Sequence, residues 1–273
     1  MMKHSKLFSL TGLFLAALLV FTGCTATQAP PEETTASPQT RTVLETLTTE
    51  IAMGDMVIAN REEYIYNEQG LLTEIVSYSG DQEVSRTTVE NDEHGSPVRQ
   101  TSVAGEITTV TESECTYDEN GNLIKQVSTV TTNGEVTTIR EYEYTPEGKV
   151  LNATFTTTGE NGYTTGNSYE YDEAGRQTAE IFLSPDGSTA RKETQYNEEG
   201  NPIRSVTTNS DGVVTVETDY IYLEDGTVKT VSGPSYTLAT YNEQGNPLTQ
   251  ETYTGDVLVM RLTYTYITVP AFK

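Results

Sequence analysis

Two histidines, two cysteines and 40 acidic residues are the inventory from which any chemistry in this 273-residue chain must be assembled. His4 lies in an amino-terminal stretch that reads as an export signal, so His94 is the one imidazole left for a folded site. A His-based triad or a zinc centre needs converging imidazoles or thiolates, and that supply is missing. Cys115 occupies a slot that other parts of the chain fill with Tyr, so it reads as a small buried hydrophobe rather than a nucleophile. Asp118-Glu119-Asn120-Gly121 has the outline of a calcium loop, but the bidentate Glu required six residues beyond the Gly is Val127. Any two carboxylates could serve a glycoside hydrolase, yet such a pair should depart from its surroundings, and none does. No P-loop, Gly-x-Ser-x-Gly or His-Glu-x-x-His string occurs. The expectation is therefore no catalytic residue, no metal ligand and no cofactor.

What places these acids is a repeat, Tyr-x-Tyr-Asp-Glu-x-Gly, most complete at Tyr169 to Gly175. Its second Tyr and its Gly recur as Tyr66 and Gly70, Tyr117 and Gly121, Tyr144 and Gly148, Tyr171 and Gly175, Tyr196 and Gly200, Tyr222 and Gly226, and Tyr241 and Gly245. Gly95 closes a copy, Val89 to Gly95, that has lost both rings. Successive glycines are 25, 26, 27, 27, 25, 26 and 19 residues apart. Between them fall second turns such as Gly80-Asp81, Gly105-Glu106, Asn133-Gly134, Asn161-Gly162, Asp186-Gly187, Asp211-Gly212 and Gly255-Asp256. Each unit then holds two strands and two turns, about 18 strands in all. The Asp or Asn after the Tyr can accept from the backbone two residues on, and the Gly can take the left-handed conformation that ends the turn. Tyr-x-Tyr puts both rings on one face of a strand, and stacked units align them in rows. Those rows, with the residue two after each turn Gly, are the expected core. The ring-less second unit is expected to be the most loosely packed, and the first hairpin, from Thr42 to Tyr66, to act as an amino-terminal cap.

Residues 1–23 combine Lys3, His4 and Lys6 with an apolar run from Leu7 to Phe21, too short for a stop-transfer helix. Phe21-Thr22-Gly23-Cys24 resembles the lipobox of bacterial lipoproteins, departing from it in having Phe21 where Leu is commonest. The resemblance implies cleavage before Cys24 and a lipid on that residue, leaving Cys115 without an internal disulfide partner. Residues 24–40, rich in Pro, Thr and Glu, read as a flexible tether, and 41–273 as the β-repeat domain. The formal charge of −24 excludes nucleic acid and anionic lipid surfaces as natural partners, since both would be repelled.

The strings Tyr117-Asp118-Glu119-Asn120-Gly121-Asn122 and Tyr171-Asp172-Glu173-Ala174-Gly175-Arg176 resemble the YD repeats of RHS-type proteins, over roughly residues 60 to 266. That resemblance implies β-hairpins winding into a spiral sheet. The expected fold is all-β: an elongated, strongly twisted or spiral antiparallel sheet of about eight YD-type hairpins. The expected function is a non-enzymatic, lipid-anchored extracytoplasmic protein offering a binding or structural surface on a bacterial envelope, with a membrane contact through Cys24 and an envelope glycan or protein as partner. An envelope glycan-binding module or glycan-active enzyme, and a shell fragment of an RHS-type toxin, are the alternatives.

Overall fold

In a computed structural model the described residues are 39–54, 56–131, 135–158 and 162–272. All belong to the compact unit Glu33–Lys273. The signal 1–23, Cys24 and the tether up to residue 38 lie outside the described residues, as do Asn133-Gly134 and Asn161 of the second turns.

Every element among the described residues is a strand, as the abundance of Thr and Tyr favours. In order they are β1 (Thr40–Met53), β2 (Met56–Tyr66), β3 (Leu72–Ser79), β4 (Gln82–Asn91), β5 (Pro97–Ala104), β6 (Ile107–Tyr117), β7 (Leu123–Thr131), β8 (Glu135–Tyr144) and β9 (Val150–Thr157). They continue as β10 (Tyr163–Tyr171), β11 (Gln177–Leu183), β12 (Thr189–Tyr196), β13 (Pro202–Asn209), β14 (Val214–Tyr222), β15 (Val228–Ser232), β16 (Ser235–Tyr241), β17 (Pro247–Thr254) and β18 (Val257–Pro270). The short interval between Gly226 and Gly245 is met by shortening a strand pair, β15 and β16, around the turn at Gly233-Pro234.

Each strand pairs antiparallel with the next, from β1 with β2 to β17 with β18. The last strand then pairs with the first, in register from Thr40↔Pro270 to Ile51↔Met260. This closure corrects the expectation of an open, elongated spiral: the sheet is a closed 18-stranded antiparallel barrel. The first hairpin is correspondingly not a cap but one side of the closing seam. The terminal strands are the longest, 14 residues each, and their pairing removes the edges that an open sheet would expose.

Antiparallel closure puts all motif turns on one rim and all second turns on the other. A bulge recurs where a motif meets the next strand: Ile65 pairs with Glu74 but Tyr66 with Leu72, and the same slip comes immediately before Asn91, Tyr117, Tyr144, Tyr171, Tyr196 and Tyr241. Bulges sharpen local twist and bend, which curvature of the wall requires.

Directly opposed residues share a face. Followed through the registers, Tyr64, Ile75, Thr87, Ser102, Thr109, Ser128, Thr138, Asn167, Thr207, Thr230, Thr237, Thr252 and Leu262 lie on one side of the wall, with all the motif tyrosines. The other side carries most of the strand charges. Only six hydrophobic residues among those described are buried: Leu71, Val76, Val89, Ala179, Ala239 and Val269. A ring of this many strands is too wide for side chains to fill. Among the described residues, the side-chain hydrogen bonds, ion pairs and ring contacts lie within a strand or turn or link parts of the wall that are adjacent or one strand removed, such as Arg191 with Glu170 and Tyr236 with Tyr253. The barrel is hollow, with a wall one sheet thick.

Two expectations about packing fail. The Tyr rows and the residues after the turns are half-buried at best, because a one-layer wall gives them no opposing layer. The ring-less second unit is not loose: Val89 is buried, and Leu71 and Phe272 lie against Gly95, 3.1 Å from where a side chain would begin.

Candidate functional site

The motif rim is the chemically densest part of the molecule, and its turns are built by the residues that define the repeat. The eight motif glycines have φ between 76° and 86°. The Asp or Asn after each Tyr folds its carboxylate or amide back onto the turn. Asp118 accepts from the amides of Asn120 and Asn122, both at 2.8 Å, and from Asn122 Nδ2 at 2.8 Å. These donors hold its carboxyl below the usual range, the Asn122 side chain contributing most. Asp172 is likewise held down by the Arg176 amide and then by the Arg176 guanidinium. Asn67, Asp92, Asn197 and Asn242 make the corresponding bonds. Oxygens so engaged are closing turns, and this is why the calcium-loop outline at Asp118 has a structural meaning instead.

The second Tyr of each motif carries a contact that the sequence pattern did not reveal. Its hydroxyl donates to the carbonyl of the first residue of the preceding strand: Tyr144 to Leu123 at 2.7 Å, Tyr171 to Val150 at 2.7 Å, Tyr196 to Gln177 at 2.6 Å, Tyr222 to Pro202 at 2.9 Å and Tyr266 to Pro247 at 2.8 Å. Tyr66 donates likewise to Leu44 O at 2.8 Å, inside β1 at the bulge between Leu44 and Thr46. The bulge turns that carbonyl out of the strand ladder, and the phenol satisfies it. Partial burial raises the hydroxyl pKa values of Tyr66, Tyr171, Tyr196, Tyr222 and Tyr266. In the second unit Asn91 stands in the Tyr slot and its Nδ2 reaches Leu72 O at 2.8 Å. Tyr117 instead donates to Asp92 Oδ2, stacked on His94 with ring centroids 4.0 Å apart. His94 is thus an exposed turn residue with one ring face on Tyr117. Tyr241 is 42% exposed, among the most open of the motif rings. Half-buried Cys115 has its thiol pKa raised by desolvation, the opposite of activation. Cys24 lies outside the described residues.

On the opposite side of the wall, cross-strand ion pairs run around much of the ring, joined by Arg86–Glu83 within β4. Arg86 joins Glu74 and Glu83, Arg99 joins Glu112, Lys125 joins Glu141, Arg204 joins Glu217, and Arg261 joins Glu50 and Glu251. Arg191 reaches across a whole strand to Glu170, with both guanidinium nitrogens within 2.8 Å, and covers Ala179, which is only 2% exposed. Val76, at 1%, lies on this face with Glu63 and Arg86 opposite it on the two neighbouring strands. Individually such half-exposed pairs contribute about 0–1 kcal/mol. Collectively they mark this face as one that stands in water. Sequence reasoning missed the belt because the alternation of Arg and Glu becomes a pairing only once the register is known.

What the arrangement offers is a wall with two chemistries. One side presents Tyr, Ser, Thr, Asn and Gln, and the other presents paired charges. Among the described residues no group of three or more His, Cys, Asp and Glu side chains is placed to hold a metal.

No known protein family and no curated protein matches the sequence. Among solved structures, the chain is similar to a porin-like protein from Bacteroides uniformis (10% identity, 82% of this chain and 98% of that one, TM-score 0.42). It is similar to another from Bacteroides vulgatus (12% identity, 82% and 99%, TM-score 0.43). A chain of the Photorhabdus luminescens Tc holotoxin pore is matched at 13% identity over 82% of this chain but 17% of its own length, with a TM-score of 0.19.

Proposed function

We propose that this is an extracytoplasmic protein held to a bacterial membrane by a lipid on Cys24, whose hollow barrel stands in water and presents a binding surface without performing catalysis. The observation that carries the reading is the polarity of both sides of the wall. A barrel that crosses a bilayer needs an outward apolar band, and each Arg or Lys at the midplane costs about 2–4 kcal/mol. Here one face bears Arg86, Arg191, Arg204 and Arg261 with their acids, and the other a field of hydroxyls and amides. Neither suits lipid, so the anchor must come from elsewhere in the chain, and the lipobox-like string at Cys24 supplies it. The turn acids, committed to the backbone, support a structural rather than a reactive role.

The test separates a tethered barrel from an inserted one. In cells that process lipoproteins, the wild-type chain should take up labelled palmitate and fractionate with membranes. Cys24→Ser should lose the label and keep its signal uncleaved, and residues 25–273 exported behind a cleavable secretory signal should be released by alkaline carbonate with their β-structure intact. A Cys24→Ser chain that keeps the label, or a 25–273 chain that resists carbonate extraction, overturns the reading.

Glycan as the partner is favoured by one observation: Tyr163, Tyr222 and Tyr241 expose 42–43% of their surface on the tyrosine face. Rings so placed can stack on sugars. Binding of soluble peptidoglycan fragments that is lost in Tyr222→Ala with Tyr241→Ala would support it.

A further inference from the structure

On the rim of the second turns some strands overrun a neighbour, as β14 does past the end of β15, and the β1–β2 hairpin is such a place. The register of β2 with β3 stops at Asn60↔Ser79, with a last bond from Gly80 N to Ala59 O at 2.9 Å. The register of β1 with β18 stops at Ile51↔Met260. Beyond those points β1 and β2 continue, paired only with each other, through Ala52↔Val57 and Met53↔Met56. The result is a two-stranded finger that overhangs the end of β3, beside the β17–β18 hairpin, on the rim opposite the motif turns. Residues two apart on a strand turn their backbone groups the same way, so the Val57 N–H and C=O follow those of Ala59 toward the β3 side, where no strand runs beside them.

The side chains on this finger are the most exposed large hydrophobics described: Met56 at 66% and Val57 at 65%, with Val257 of the adjoining β17–β18 turn also at 65%. Ile58 is 41% exposed. Met56 and Ile58 point to one face and Val57 to the other, so the finger is apolar on both sides. The corresponding overhang at the motif rim is treated differently. There β1 and β18 run on together to Thr40↔Pro270, and Val269 is buried, with Gly70 backed against the Pro270 carbonyl. One overhang is covered and the other is left open.

We infer that the β1–β2 finger is a docking site for an extended, apolar peptide segment flanked by basic residues, which adds as a strand alongside Met56 to Ile58. An added strand completes the backbone pairing, and its alternating side chains find Met56 and Ile58 on one side and Val57 on the other. Charge selects the flanks: exposed Asp81 and Asp256 sit in the two turns that border the finger. A second copy of this chain would bring like carboxylates and two bodies of charge −24 together. A lipid surface would leave the bare amides and carbonyls without partners. The site stands independently of the anchoring and broad-surface reading, because it concerns one hairpin rather than the wall.

The test uses the purified full chain and two fluorescent nonapeptides, Lys-Lys-Val-Thr-Val-Thr-Val-Lys-Lys and the same core flanked by Glu. Fluorescence anisotropy should show saturable binding of the Lys-flanked peptide, at least tenfold tighter than the Glu-flanked one and weakened several-fold between 50 and 500 mM salt. Val57→Pro removes the donor on the bare edge without touching a bond within the barrel, and should weaken binding at least tenfold with circular dichroism unchanged. The inference is overturned by any of four results: no binding of the Lys-flanked peptide, equal binding of both peptides, no effect of Val57→Pro, or a finger-dependent activity of another kind. The last would be self-association in sedimentation, or flotation with phosphatidylcholine vesicles, abolished by Val57→Pro.

Discussion

The phenol of Tyr171 donates to the carbonyl of Val150, 21 residues earlier, at 2.7 Å, and the same bond ties one motif after another to the strand before it. Removing the hydroxyl alone should therefore separate this bond from the packing of the ring. Tyr171→Phe should lower stability by about 1 kcal/mol, and Tyr171→Ala by about 3 kcal/mol or more. Urea titrations followed by circular dichroism would measure both, and a Phe variant as stable as wild type would show the hydroxyl bond to be dispensable.

Two motif glycines with nearly equal φ, Gly121 at 82° and Gly70 at 79°, differ in their surroundings. A side chain added at Gly121 meets nothing within 4 Å, whereas at Gly70 it collides with the Pro270 backbone. Gly121→Ala should cost only the backbone strain, about 1 kcal/mol, and Gly70→Ala clearly more because the seam must shift. Equal melting temperatures for the two variants would contradict the close approach of Gly70 to Pro270.

Closure of the barrel can be tested covalently. Thr46 and Thr265 are opposed across the seam with hydroxyls 2.8 Å apart. Thr46→Cys combined with Thr265→Cys, in a Cys115→Ser background, should oxidise to an internal disulfide that changes migration on a non-reducing gel. Fixing so long a loop should stabilise the fold by on the order of 5 kcal/mol. An open sheet would hold these residues at opposite ends and give no cross-link.

Acid should loosen the motif rim first. The folded-state pKa of Asp172 is lowered, by the Arg176 amide above all, and that of Asp118 by Asn122. A lowered carboxyl pKa contributes stability that is present above its unfolded value, near pH 4, and is lost as pH falls through the lower folded value. Asp172→Asn keeps the turn, since Asn67, Asn197 and Asn242 fill the same slot, but has nothing to titrate. Melting temperatures between pH 5 and pH 2 should fall less steeply for this variant than for wild type, and parallel curves would rule out the linkage.

The strand count and the turn positions were legible because they depend on local chemistry. Asp or Asn followed by Gly at the right offset closes a turn wherever it occurs, and alternation does the rest. Closure was not legible, because a period of about 26 residues is the same in a spiral and in a ring. What decides is whether β18 finds β1, a contact over more than 200 residues. The length of the run after Val257, which continues past its tyrosines without a turn, was the available sign. The second unit was misread for a related reason. Losing both rings looked like losing the packing, but Asn91 can donate to Leu72 as a Tyr would, and Phe272 from the far end of the chain fills the space. The finger at Met56 to Ile58 was also hidden: its apolar run looks like any strand until β3 is seen to end early.

The amide of Ala271 donates to the carbonyl of Gln39 at 2.8 Å, so the start and finish of the barrel are hydrogen-bonded neighbours. That adjacency imposes a parity on the molecule. A strand inserted or deleted singly would bring first and last strands together running the same way, and the antiparallel seam would no longer fit. Change in size must come in whole hairpins, which gives a reason for the unit of duplication to be two strands. It also means that no unit is first: cutting at a motif turn and joining residue 271 to residue 39 would describe the same ring with its numbering rotated.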